Sequence, residues 1–73
     1  MSRRLTAIIT AEGSGFVSHC PELDIASQGE SVEEAKSNLQ EALELFFECA
    51  RPEVVEQRWS VDVFVSQVEV AVA

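Results

Sequence analysis

The chain has 73 residues and a formal net charge of −8, from 13 acidic and five basic side chains. This length predicts one domain, over residues 1–73, with a core of marginal size. Clustered Lys and Arg side chains are needed to hold phosphates, so the composition disfavours direct binding of DNA or RNA. An acidic chain is instead steered toward basic partners.

The sequence contains no apolar run of about 18 residues, so we expect no membrane-spanning helix. Residues 1–4 are basic, but no apolar stretch of the length found in signal peptides follows them. These features predict a cytoplasmic protein. Cys20 and Cys49 are then expected to be free thiols, although the sequence leaves one disulfide open.

Three short strands are predicted in the first part of the chain. Residues 5–11 alternate with a period of two and are rich in β-branched side chains. The glycines of segment 13–15 suit a tight hairpin turn, and residues 16–20 form the return strand. Pro21 ends that strand because it has no N–H to donate. Residues 21–24 are a predicted turn, and residues 25–27 a short third strand.

A helix is predicted over residues 32–50. Ser31 and Glu34 form a capping box, in which the Ser31 hydroxyl accepts from the Glu34 N–H and the Glu34 carboxylate reaches back to the Ser31 N–H. Leu45 lies on the opposite side from the apolar stripe, so it is expected outside the core of its own domain. Pro52 ends the helix. The stripe predicted to face the core consists of Val32, Ala35, Leu39, Ala42, Leu43, Phe46 and Ala50.

The C-terminal part is predicted to hold a short helical turn within residues 53–58 and a strand over residues 59–72. The valines alternate, and their phase changes at residues 66–67, where we expect a bulge, a bend or a tight turn. The expected fold is a two-layer α+β domain of order β-β-β-α-β, with one helix on one face of an antiparallel sheet and the last strand split.

Self-association is predicted because an uncovered apolar edge strand aggregates. The economical arrangement is a homodimer, or a higher oligomer, joined through the last strand. Its expected interface side chains are Val61, Val63, Val65, Val68, Val70 and Val72.

The sequence offers little for catalysis or metal binding. His19 and Cys20 are neighbours in a strand and therefore point to opposite faces, and with Cys49 they lack the spacing of a zinc site. No nucleophile elbow, phosphate loop or dinucleotide fingerprint is present. We therefore predict no enzymatic activity, no metal and no cofactor. A small enzyme or RNA-binding protein is the least favoured hypothesis.

Two segments resemble the HicB-like family, the antitoxin half of HicA–HicB toxin–antitoxin systems. They are residues 15–17 (Gly-Phe-Val) and residues 20–35, which hold Pro-Glu-Leu, then Gln-Gly, then Ser-Val-Glu-Glu-Ala. Residues 38–45 continue the helix in the manner of the family, and residues 68–72 resemble the end of short members. The resemblance implies a dimerising fold of three strands, one helix and one strand.

The resemblance also implies a protein that binds and neutralises a small basic HicA-type RNase. Longer members carry a C-terminal DNA-binding domain for which this sequence has no room, so operator binding by this chain is not expected. The predicted partner-binding residues are Glu22, Asp24, Ser27 and Gln28, which lie at loop or strand-end positions expected to be exposed. The alternative is an orphan HicB-like homo-oligomer, a structural or regulatory module without a toxin.

Overall fold

A computed structural model of the protein describes residues 4–59 and 62–73. Three strands come first: β1 (Ile8–Glu12), β2 (Gly15–Cys20) and β3 (Ile25–Gly29). Two helices follow, α1 (Val32–Cys49) and α2 (Pro52–Arg58). The strands form one antiparallel sheet in the order β1-β2-β3. The predicted α+β class and the order β-β-β-α are confirmed.

The strand register places the two turns of the sheet at opposite ends. Glu12 pairs with Gly15 across the first turn, where Gly13 has a positive φ of 59°. Cys20 pairs with Ile25 across the second turn, formed by residues 21–24. β1 begins three residues later than predicted, because the Thr6 N–H donates to the Glu22 carboxylate.

The start of α1 follows the capping prediction in part. Ser31 is the N-cap, and its hydroxyl oxygen accepts from the Glu34 N–H at 3.0 Å. The Glu34 carboxylate accepts from the N–H of Glu30 at 3.0 Å rather than from that of Ser31. The helix ends at Cys49, one residue before the predicted end, and the Ala50 N–H closes it onto the Phe46 carbonyl.

Helix α1 packs on the sheet face that carries Ser18 and Cys20, both fully buried. It lies mainly against β3, and of the three strands β1 is the one it touches least. Ala35 and Leu39 of the predicted stripe are buried and Leu45 is exposed, as predicted. Val32 is 44% exposed, so its prediction as a core residue was wrong. Cys20, Leu23 and Leu39 form the core cluster, flanked by half-buried Leu5, Ile25, Leu43, Phe46, Phe47 and Trp59.

Gly29 lets α1 approach β3 closely. A Cβ atom at this position would lie 2.5 Å from the Ala35 nitrogen and 2.8 Å from the Glu34 carbonyl carbon. The same approach brings the Ala35 carbonyl to 2.7 Å from the Ser18 hydroxyl, which donates to it. Helix α1 therefore packs on the sheet through close contacts of its own backbone.

The C-terminal tail, residues 62–73, is assigned neither helix nor strand, so the predicted last strand is not formed. Its apolar side chains are largely in solvent, with Phe64 90% and Val68 84% exposed. A strand requires a neighbour to accept and donate its backbone hydrogen bonds, and within the described residues the tail pairs with none. The radius of gyration is 14.3 Å, against about 11 Å for a globular chain of this length.

Candidate functional site

Glu22 lies in the turn between β2 and β3, where it fastens the segment that precedes β1. Both carboxylate oxygens accept from the Thr6 N–H at 3.1 Å, and one accepts from the Thr6 hydroxyl at 2.6 Å. The side chain is only 9% exposed. Its prediction as an exposed partner-binding residue was wrong on exposure, because Thr6 folds over it and occupies its oxygens.

The surroundings of Glu22 stabilise its charged form. Burial raises the pKa of this carboxyl, but the hydrogen bonds from Thr6, from its own backbone and from Cys20 outweigh burial, so the pKa lies below its ordinary value. The Cys20 thiol donates to the same carboxylate at 3.5 Å. Burial, followed by the contact with Glu22, raises the pKa of Cys20. A thiol held in its protonated form is a poor nucleophile.

Asp24 lies at the same end of the sheet but faces solvent, as predicted. Its side chain is 90% exposed, and its carboxylate oxygen lies 3.0 Å from His19 Nε2. Asp24 has a φ of 53°, in the left-handed region that Asp tolerates better than most residues. Leu23 beside it is fully buried and anchors the turn. The Leu23 carbonyl accepts from Arg58 at 2.6 Å, which ties α2 to this turn.

Ser27 and Gln28 lie toward the other end of β3. Asp24 and Gln28 are four positions apart in the chain, which corresponds to about 13 Å at 3.3 Å per residue of extended strand. The four predicted partner-binding residues therefore do not form one cluster. Glu22 and Asp24 occupy one turn of the sheet, whereas Ser27 and Gln28 line an open groove at the opposite end.

This groove, here called the acidic groove, has a volume of about 640 Å³. The hairpin between β1 and β2, the end of β3 and the first turns of α1 surround it. Asn38 on α1 donates to the Gln28 carbonyl at 2.7 Å and closes one side. Its lining includes three carboxylates and no Lys, Arg or His side chain, the residues being Glu12, Ser14, Gly15, Phe16, Val17, Ser27, Gln28, Gly29, Glu30, Glu34 and Asn38.

The sequence reasoning missed Glu12 and Glu30 as groove residues. The signal that could have found them is the predicted antiparallel order itself, since a three-strand meander returns residues 12–15 and 28–30 to one end of the sheet. Every ionisable side chain in the lining is a carboxylate. What the groove can bind through charge is therefore a cationic segment.

Within residues 4–59 and 62–73, no three His, Cys, Asp or Glu side chains are grouped so that they could hold a metal ion. Cys20 is buried and Cys49 is exposed, and both are free thiols. No helix in the described part of the chain is long and apolar enough to cross a membrane.

Comparison of the chain with protein-family models, with curated proteins and with solved structures gave no match.

Proposed function

We propose that the protein is an antitoxin-type binding protein of the HicB-like kind, which binds and neutralises a small basic HicA-type, mRNA-cleaving RNase in the cytoplasm. The observation that carries this proposal is the acidic groove, with three carboxylates and no cation in its lining. The net charge of −8 acts in the same direction over longer distances. The kind of partner is inferred from the ordered motifs of residues 15–45, which resemble those of the HicB-like family.

The proposed mechanism is competition for the cations of the RNase. An enzyme that grips RNA must present Lys and Arg side chains to the phosphates. Glu12, Glu30 and Glu34 offer those cations carboxylates in place of phosphates, while Gln28 presents an exposed amide beside them. Asp24 lies in the turn before β3, about 13 Å from Gln28, where it provides a second acidic contact for a partner that extends over the sheet.

The experiment is capture of the partner followed by an inhibition assay. The tagged full-length chain is used to isolate bound proteins from its own cells, and a small basic protein eluted by salt is purified and tested for RNA cleavage. Support requires that this protein cleaves RNA and that the chain inhibits cleavage at stoichiometric ratio. A captured protein that cleaves no RNA, or whose cleavage continues in the presence of the chain, contradicts the proposal.

Charge-neutralising variants locate the interface. Replacing Glu12 and Glu30 together by Gln removes two carboxylates from the groove. At about 0.5–1 kcal/mol for each solvent-accessible ion pair, binding of the RNase is expected to weaken about 5- to 30-fold. The matched control is the double variant of Glu44 and Glu48 to Gln, which removes the same charge from exposed positions of α1 outside the groove. Equal losses in both variants would remove the groove from the interface.

The alternative function is an orphan HicB-like homo-oligomer with a structural or regulatory role. One observation favours it, the exposed apolar tail, because contiguous exposed apolar surface marks an interaction site. Of the proposed interface residues, Val63 is half-buried, Val65, Val68, Val70 and Val72 are exposed, and Val61 lies outside the described residues. Light scattering tests this self-association, and a mass equal to one chain at every concentration would contradict it.

A further inference from the structure

The C-terminal tail has the composition of a strand and lacks a neighbour. β-branched side chains favour extended backbone when they can pack on a sheet, and valines occupy positions 63, 65, 68, 70 and 72. Phe64, Val68 and Val72 are 84–90% exposed. Its residues are assigned no strand and leave the body of the protein, as the large radius of gyration shows. The tail therefore carries strand-forming residues that pair with no strand within the described part of the chain.

Strand β1 offers the complementary edge. It pairs with β2 on one side, and on its other side no strand lies within the described residues. Four of its five residues are exposed, and the strand holds no Lys or Pro of the kind that protects edges. The outer edge of β3 is less accessible, because Asn38 occupies the Gln28 carbonyl and Gly29 is in contact with α1.

The segments that lead into β1 and toward the tail pack on the same core cluster. Leu5, just before β1, and Trp59, just before the tail region, both pack on the core cluster. A segment that leaves the same core on which the residues before β1 pack is able to exchange between two copies, each completing the sheet of the other. A small core also needs such reinforcement, and only four apolar residues among those described are buried.

We propose that residues 62–73 of one copy add as a strand to the free edge of β1 in a second copy, and that the exchange is reciprocal. This inference deepens the self-association proposed above and does not depend on an RNase partner. Because both copies are strongly acidic, raising the salt concentration should strengthen this assembly. Salt should weaken binding of a basic RNase, so the two proposals can fail independently.

The test uses the full-length chain labelled in two ways. Equal amounts of ¹⁵N-labelled and ¹³C-labelled protein are mixed, and nuclear Overhauser effects are recorded between ¹³C-bound methyl protons and ¹⁵N-bound amide protons. Only contacts between copies give a signal. We expect contacts from tail valine methyls to the amides of Ile8–Glu12, together with slower hydrogen exchange of β1 amides as protein concentration rises.

A variant pair links these signals to the tail. Replacing Val68 and Val70 together by Glu alters side chains that are exposed in the single chain, so its fold should remain. Loss of two buried valines from the assembly should raise the dissociation constant roughly 100-fold or more. Leu45→Glu is the matched control, an exposed apolar residue on α1 changed in the same way. It should change the dissociation constant less than about threefold, as is usual for surface substitutions.

Three results would overturn the proposal. The first is a monomer at all concentrations with the tail on its own β1. The second is a dimer in which tails contact only each other while β1 amides exchange as fast as in the monomer. The third is an equal loss of assembly in the Leu45 control, which would place the contact on α1 instead of the tail.

Discussion

The close packing of α1 on the sheet can be tested by adding one methyl group at Gly29. In Gly29→Ala the new Cβ would lie 2.5 Å from the Ala35 nitrogen, whereas ordinary contact begins near 3.4 Å. The helix backbone must therefore move by about 0.9 Å, the difference between these two distances. No flexible side chain can absorb this shift, because the nearest atoms all belong to the backbone of Glu34 and Ala35.

The expected cost combines two terms. Overpacking a well-packed contact typically destabilises by about 1–3 kcal/mol. The same shift stretches the 2.7 Å hydrogen bond from Ser18 to Ala35, and losing a buried bond of this kind adds about 1 kcal/mol. We therefore expect Gly29→Ala to lower the free energy of unfolding by roughly 2–4 kcal/mol.

Urea unfolding followed by circular dichroism measures this change. All variants are compared at one protomer concentration, since self-association would otherwise shift the apparent stability. The control is Gly13→Asn, because a Cβ at Gly13, unlike one at Gly29, would meet no atom within 4 Å, and Asn tolerates the positive φ better than most residues. The control should cost no more than about 1 kcal/mol, the strain of a residue with a Cβ at this positive φ. A Gly29→Ala protein as stable as the control would refute the close approach of α1 to β3.

Three further predictions concern single side chains. Glu22→Gln should lower the free energy of unfolding by about 1–3 kcal/mol at pH 7. Because the pKa of Glu22 is depressed in the folded protein, this difference should shrink as the pH falls below the ordinary carboxyl pKa and then through the folded pKa. A difference that does not change with pH would contradict the prediction. Ser31→Ala should cost about 1 kcal/mol through loss of the N-cap, measured by urea unfolding against Ser37→Ala, and equal costs would count against the cap. In the native protein a thiol reagent should modify the exposed Cys49 quickly and the buried Cys20 only after denaturation, and equal rates would show that Cys20 is accessible.

Local sequence signals predicted the elements that local chemistry determines. The Ser31 cap predicted the start of α1, Pro52 predicted its end within about two residues, and the glycines at 13 and 15 predicted the first hairpin. The helical turn predicted within residues 53–58 corresponds to α2, which begins at Pro52 itself. The burial of Glu22 could not be predicted in this way, because it depends on Thr6, which lies 16 residues away in the chain. A charged residue in a turn is usually solvated, and only the tertiary fold reveals that another segment covers it.

The C-terminal segment illustrates a second limit of sequence patterns. Alternating valines predict a strand, but this pattern does not show which other strand would form hydrogen bonds with it. A strand exists only where another backbone satisfies its hydrogen bonds, and the described residues contain none beside the tail. The acidic groove was missed for a different reason: no motif marks Glu12 or Glu30, and only the strand order, followed through the sheet, brings them to one end.

The most direct test of the proposed antitoxin function measures how inhibition of the RNase depends on salt concentration and on the carboxylates of the acidic groove. The captured basic RNase is titrated with the parent chain and with the Glu12 and Glu30 double variant, at low salt and at high salt, and RNA cleavage is the readout. We predict that the parent chain inhibits stoichiometrically at low salt and more weakly at high salt. At low salt only, the double variant should bind the RNase about 5- to 30-fold more weakly than the parent chain, in line with about 0.5–1 kcal/mol per ion pair. Inhibition that is independent of salt and equal in the two proteins would contradict an electrostatic antitoxin that acts through this groove.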